Sequence, residues 1–139
     1  METIAAIQEE IVEEFDMFEN WVEKYEYIIE LGKILPMIND KHKIEDNLIK
    51  GCQSRVWLHT QHNNGIITYT ADSDAIITKG IVAILIRVLS NQQAEEIAKA
   101  NLTFIDKIGL KEQLSQTRAN GLVSMIKEMK LYALGYQNK

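Results

Sequence analysis

The strongest constraint on the fold is an Asn-Gly pair that joins two stretches of strand-like sequence. Residues 55–60 alternate with the period of two that is typical of a half-buried strand. Residues 66–71 form a second such stretch, rich in β-branched side chains and containing Tyr69. Asn63-Asn64-Gly65 lies between them, and Asn-Gly favours a two-residue turn because both positions tolerate positive φ. The sequence therefore predicts an antiparallel hairpin in the middle of the chain.

Helical periodicity precedes this hairpin. Apolar residues recur at helical spacing over residues 4–18 and again over residues 21–29. Asp16 and Glu19 have the spacing of a capping box, so we predict that the second helix begins there. A glycine and a proline at positions 32 and 36 are expected to end it.

Further helices follow the hairpin. Residues 75–89 are apolar on nearly every side, which predicts a central, buried helix. Asp72, Ser73 and Asp74 precede it and are interpreted as helix caps. Paired catalytic carboxylates are the alternative interpretation of the two aspartates. Residues 92–100 predict a short amphipathic helix. The last helix is expected to begin at Ser115 or Thr117 and to bury a stripe formed by Leu122, Met125, Ile126, Met129, Tyr132, Ala133 and Tyr136.

Together these elements predict an α+β fold, with a small antiparallel three-stranded sheet packed against several helices. The third strand is expected at residues 47–50. The 139 residues include one proline and no low-complexity tract, so we expect a single domain over residues 1–139.

Charge and hydropathy argue against several classes of partner. The net charge is −5, with acidic and basic residues mixed along most of the chain, so we expect no nucleic acid. The longest apolar run, residues 80–86, is too short to span a bilayer, so we expect no membrane partner. A single cysteine excludes an internal disulfide, and the acidic first helix is unlike a signal peptide. We therefore expect a cytoplasmic protein. The acids themselves are interpreted as a solvated helix face, with an acidic docking surface as the alternative.

Cys52 is the residue most suited to chemistry. It lies in Gly51-Cys52-Gln53-Ser54, a turn-like segment at the front edge of the hairpin. The residues alone leave two interpretations open, a buried inert thiol and a reactive loop thiol. In the second, backbone N–H groups of the turn or the nearby Arg55 would favour the thiolate.

The three histidines raise the question of a metal site. They are His42, His59 and His62. Structural zinc usually takes four ligands and is rich in thiolates, whereas this chain has one cysteine. We interpret the histidines as surface residues and expect no metal.

A family resemblance appears in the residues around the cysteine. Residues 48–57, LIKGCQSRVW, resemble the cysteine-loop signature of the SufE family. Three further segments resemble that family in the same order along the chain. They are residues 21–32 (WVEKYEYIIELG), residues 72–75 with 79–80 (DSDA and KG), and residues 114–122 (LSQTRANGL).

The resemblance implies a role in iron–sulfur cluster assembly. Cys52 would accept sulfur as a persulfide from a SufS-like, pyridoxal-phosphate-dependent cysteine desulfurase and pass it to a SufBCD-like scaffold complex. The protein would stimulate the desulfurase, hold no cofactor of its own and not be an enzyme. Its fold would be SufE/IscU-like, with the cysteine at a loop tip near the sheet. Gly51, Gln53, Ser54, Asp74 and Arg118 are the expected loop or partner-binding residues.

Three other hypotheses remain. The IscU-like fold suggests a cluster scaffold, although such clusters commonly need four protein ligands. A free-standing thiol enzyme would need a base beside the nucleophile. An interaction module independent of Cys52 would use the acidic first helix.

Overall fold

The computed structural model describes residues 2–137, and within them helices pack against a three-stranded antiparallel sheet, which confirms the predicted α+β fold. Two short 3-10 turns, Asp40–His42 and Glu45–Asn47, precede the sheet. The elements in chain order are α1 (Ile4–Asp16), α2 (Trp21–Gly32), β1 (Val56–Asn63), β2 (Ile66–Ser73), α3 (Ile76–Leu89), β3 (Gln92–Gln93), α4 (Ala94–Lys99), α5 (Phe104–Lys107), α6 (Leu110–Gln113) and α7 (Gln116–Gln137).

The predicted hairpin is confirmed. Asn64 and Gly65 both have positive φ, 53° and 83°, as the Asn-Gly signal requires. Asn63 pairs with Ile66 next to the turn, and the ladder extends until the first residue of β1 pairs with the last residue of β2. β2 therefore reaches Ser73, beyond the predicted end at residue 71.

The position of the third strand was predicted wrongly. β3, at Gln92–Gln93, pairs with the start of β2, and α4 begins only at Ala94. The segment predicted as a strand, residues 47–50, makes a single bridge from Leu48 to Trp57. It cannot extend into a strand because Glu45–Asn47 is a 3-10 turn.

Helix α3 is the central element, as predicted. All of its residues are buried except Ile76, Lys79 and Arg87. Helix α2 crosses it very closely at Gly80, where an added Cβ would lie 2.1 Å from the carbonyl oxygen of Ile28. Only a glycine permits this approach of two helix backbones.

Two capping predictions were wrong at residue level. Asp16 is the last residue of α1, so it is not available to start α2. Asn20 caps α2 instead, because its side-chain oxygen accepts from the Glu23 N–H at 3.0 Å. Glu23 in turn accepts from the Glu19 N–H at 3.0 Å, so a capping arrangement exists but begins four residues later.

The acids before α3 do not cap it either. The N-cap residue is Ala75, which makes no side-chain cap bond. Asp72 belongs to β2 and pairs with Lys43 at 2.8 Å and Lys79 at 3.4 Å. Asp74 accepts a hydrogen bond from the Arg55 N–H at 3.0 Å. Asp72 lies within β2 and the Asp74 carboxylate is engaged by Arg55, so neither acid caps α3.

One acid of the α1 face, Glu14, is partly buried and paired rather than fully solvated. Arg87 of α3 donates to both carboxylate oxygens of Glu14, at 2.7 and 2.5 Å, and the Tyr27 hydroxyl of α2 donates to the same group. The Arg87 guanidinium accordingly lowers the pKa of Glu14. This carboxylate therefore joins α1, α2 and α3.

The last helix begins where predicted and covers the sheet. The Ser115 hydroxyl oxygen accepts from the Arg118 N–H at 3.2 Å, which is N-cap geometry. The Tyr69 hydroxyl of β2 donates to the carbonyl oxygen of Met129 at 2.7 Å. The predicted stripe faces inward, with Leu122, Met125, Met129 and Ala133 fully buried. None of the helices within residues 2–137 has the length and apolarity to cross a bilayer.

We predict that Gly80→Ala lowers the free energy of unfolding. The added methyl meets backbone at a distance that no side-chain rotation can relieve, and overpacking of this kind costs about 1–3 kcal/mol. Urea unfolding followed by circular dichroism measures the loss. Gly135→Ala is the matched control, because nothing lies within 4 Å of its added methyl. Equal stability of the two variants would contradict the close helix crossing.

Candidate functional site

Cys52 lies on a short loop that is tied at both ends. On one side the Ile49 N–H donates to the Val56 carbonyl at 2.9 Å. On the other side the Arg55 N–H donates to Asp74 at 3.0 Å. These bonds hold the loop against the start of β1.

The middle of the loop rests on α7. Gly51 has a φ of 92°, in the left-handed region that favours glycine. A Cβ at this position would lie 2.4 Å from the side-chain oxygen of Ser124. The backbone conformation therefore favours glycine before the cysteine, and any larger residue would also displace the Ser124 side chain.

The Cys52 thiol is half-buried and points toward α7. Its Sγ lies 3.6 Å from the carbonyl oxygen of Gly121, to which the thiol donates a weak hydrogen bond. Beside the sulfur is a small cavity of about 80 Å³. Its walls come from the loop, from α3 and from α7, and the residues that line it are Cys52, Gln53, Ser54, Thr78, Ile81, Thr117, Arg118, Gly121 and Met125.

This environment opposes the thiolate. Burial raises the pKa of the Cys52 thiol. The expectation that Arg55 or turn N–H groups would favour the thiolate is therefore wrong for this conformation. The Arg55 N–H is used by Asp74, and the polar partner of the sulfur is a carbonyl, which accepts from a thiol but repels a negative charge.

The predicted site residues fall into two groups. Gln53, Ser54 and Arg118 line the cavity with the cysteine, and Arg118 also donates to the Tyr25 hydroxyl at 3.1 Å, joining α7 to α2. Gly51 and Asp74 shape and hold the loop without lining the cavity. Arg118 thus makes a bond within the fold, and its exposed position leaves it accessible to a partner.

Sequence reasoning missed five cavity residues, which are Thr78, Ile81, Thr117, Gly121 and Met125. Gly121 belongs to the motif at residues 114–122, but it is distant from Cys52 in sequence and nothing there indicates that the two residues meet. The sequence predicts Met125 only as a core residue of the last helix. Of the missed residues, Thr78 is the one that the sequence could have indicated, because it is a polar side chain inside a largely apolar helix.

The other candidate groups do not converge on one centre. Asp72 and Asp74 have separate partners, so they are not a catalytic pair in this structure. His42 stacks on His59 with ring centroids 3.7 Å apart, while His62 stacks on Tyr136. His59 and His62 occupy opposite faces of β1, since side chains alternate along a strand. In the part of the chain that the structure describes, no three His, Cys, Asp or Glu side chains are grouped to hold a metal ion.

Comparison with known proteins connects this site to a family. The family described as "SufE: Fe-S metabolism associated domain" matches residues 9–133. An uncharacterized SufE-like protein of Rhizobium meliloti is 41% identical over 133 residues, covering 91% of this chain and 94% of the relative. A second, from Rhizobium etli, is 40% identical over 127 residues, covering 88% and 86%.

The fold has a solved counterpart as well. The solution structure of a hypothetical protein from Thermus thermophilus superimposes with a TM-score of 0.79, covering 96% of this chain and 97% of the other. Because the two chains are only 16% identical, this likeness supports the fold alone. The family match and the two relatives carry the assignment: the chain belongs to the SufE family, whose domain is associated with iron–sulfur metabolism.

Proposed function

We propose that this protein accepts sulfur on Cys52 from a cysteine desulfurase and delivers it to an iron–sulfur cluster scaffold. The observation that best supports the proposal is the structural environment of Cys52, the single cysteine of the chain. It lies on a tied loop and faces a small cavity in a protein of the SufE family.

The chemistry is thiol–disulfide exchange. The desulfurase, which uses pyridoxal phosphate, holds sulfur as a persulfide on its own cysteine. The Cys52 thiolate attacks the terminal sulfur, a new S–S bond forms on Cys52, and the desulfurase cysteine leaves as a thiolate. The proton of the Cys52 thiol passes to solvent or to a base of the partner. Removing the sulfur frees the desulfurase for another turnover, so the protein acts as its activator rather than as an enzyme.

The cavity suits the product of this step. Its volume of about 80 Å³ exceeds the roughly 30 Å³ that a water molecule occupies in the liquid, so one additional sulfur atom fits. Enclosure also limits oxidation, because susceptibility follows exposure and thiolate character. A loaded Cys52 can therefore be carried between partners.

The same enclosure requires the loop to open for transfer. A half-buried thiol with a raised pKa is a poor nucleophile, and burial against α7 limits the access of a partner's persulfide to its sulfur. We assign this opening to docking of the desulfurase. Gly51, Gln53, Asp74 and Arg118 are exposed around the loop and are the proposed partner-facing residues, with Ser54 partly exposed beside them.

A free-standing thiol hydrolase is less well supported. Such an enzyme needs a general base beside the nucleophile. The residues that line the Cys52 cavity include no histidine and no carboxylate. A partner-independent reaction has no base at this site.

We predict that Cys52 gains one sulfur atom from a SufS-like desulfurase supplied with free cysteine. Intact mass spectrometry without reductant should show a mass increase of one sulfur atom that maps to Cys52. Cys52→Ser should fold normally, gain no sulfur and fail to stimulate the desulfurase. Its circular dichroism spectrum checks the fold.

Two results would count against the proposed function. One is a parent protein that stays unmodified beside an active desulfurase. The other is a Cys52→Ser protein that stimulates cysteine turnover as well as the parent does.

We predict that alkylation of Cys52 by iodoacetamide has a midpoint at higher pH than alkylation of a free cysteine, whose pKa is about 8.5. Burial raises the pKa of the Cys52 thiol. At a given pH near or below this pKa, a smaller fraction of Cys52 is therefore the reactive thiolate than in a free cysteine. In urea the midpoint should return to the ordinary range. A folded-state midpoint below that of the unfolded chain would contradict the structure of the site.

We predict that Asp74→Ala speeds this alkylation several-fold at a fixed pH. The substitution removes the acceptor for the Arg55 N–H and so loosens one end of the loop, which keeps the bond from the Asp74 N–H to the Arg55 carbonyl at 3.2 Å. Asp74→Asn is the matched control, because its amide oxygen still accepts and its alkylation rate should stay near that of the parent. Equal rates for the alanine and asparagine variants would show that this bond does not hold the loop.

A further inference from the structure

Helix α7 contains a buried glycine beside the sulfur of Cys52. Gly121 lies in the second turn of the helix, and its backbone carbonyl contacts the thiol. Glycine weakens a helix interior relative to alanine. Its presence at this position therefore needs a compensating reason.

Packing of the resting protein does not supply that reason. An added Cβ at Gly121 would lie 3.5 Å from Sγ, 3.8 Å from Cα and 3.9 Å from Cβ of Cys52, which are ordinary van der Waals distances. Gly80 is different, because its added Cβ would meet a backbone oxygen at 2.1 Å. Alanine is thus compatible with the thiol form of Cys52.

The persulfide form has a different requirement. Its terminal sulfur lies about 2.05 Å beyond Sγ. A methyl group 3.5 Å from Sγ occupies the side of the cavity that Gly121 now leaves open. A terminal sulfur directed to that side would overlap the methyl, so an alanine would turn it out of the cavity.

We propose that Gly121 is a positioning residue that keeps space free for the terminal sulfur of the Cys52 persulfide. The proposal rests on the proposed function, because it assumes that Cys52 carries sulfur in this way. Gly121 does not react. It allows the sulfur to stay enclosed, where thiols in solution reach it slowly.

The test compares persulfide lifetimes in the parent and in Gly121→Ala, using the full chain. Both proteins are loaded with inorganic polysulfide. The Cys52 thiolate attacks a polysulfide S–S bond and takes one sulfur, and a polysulfide shorter by one sulfur leaves. After desalting, dithiothreitol is added. It reduces the persulfide to the Cys52 thiol and hydrogen sulfide while it is itself oxidised to its cyclic disulfide. Intact mass follows the decay.

We expect the persulfide of Gly121→Ala to decay at least several-fold faster than that of the parent. The circular dichroism spectrum and the alkylation rate of the unloaded thiol should be unchanged, because alanine fits the thiol form. Gly135→Ala is the control for glycine replacement in the same helix, and its persulfide should decay at the parent's rate.

Two outcomes would overturn the proposal. Equal decay in Gly121→Ala and the parent would show that no space is kept for the sulfur. A thiol alkylation rate that changes in the same proportion as the persulfide decay would assign Gly121 to packing of the loop. Because loading uses polysulfide rather than a desulfurase, both outcomes are separate from a failure of the parent to accept sulfur from that enzyme.

Discussion

The burial of α3 is the constraint on which the rest of the structure depends. Its apolar surface extends nearly all the way around, so it must be covered on every side, and burial of apolar area is the main driving force of folding. Helices α1, α2 and α7 and strand β2 all pack against it. The crossing at Gly80 and the ion pair of Arg87 with Glu14 fix how two of those helices lie. One consequence is functional, because Thr78 and Ile81 of the same helix become a wall of the Cys52 cavity.

The site is formed where two distant segments meet over that helix. The Cys52 loop comes from the front of the hairpin, and the opposite wall comes from the start of α7. The contact of Gly51 with Ser124 and that of Cys52 with Gly121 set how deeply the sulfur is buried. The core does not depend on these contacts in the way it depends on α3. The loop opening that the proposed function requires would therefore leave the sheet and the central helix intact.

Elements determined by neighbouring residues were predictable from the sequence, and contacts between distant residues were not. The Asn64-Gly65 turn and the buried stripe of α7 each follow from the pattern of residues within one short segment. The third strand depends on which segment reaches the edge of β2, and periodicity at residues 47–50 carries no such information. The prediction that Cys52 is the candidate site comes from its turn-like neighbours and its family motif. The raised pKa of its thiol was not predictable in this way, because it arises from burial against α7, whose Gly121 is 69 residues away.

The resting state of Cys52 imposes opposite demands on a sulfur carrier. A protonated, half-buried thiol resists oxidation, but for the same reasons it attacks a persulfide slowly. A permanently exposed thiolate would reverse both properties. The two demands are compatible if reactivity is supplied by a movement of the loop rather than by the intrinsic pKa of the thiol. The loop is held by hydrogen bonds at its ends and by the contacts of Gly51 and Cys52 with α7, so a docking partner has a small number of interactions to replace. In the proposed function, the rate of sulfur transfer is then set by how readily the partner opens this loop.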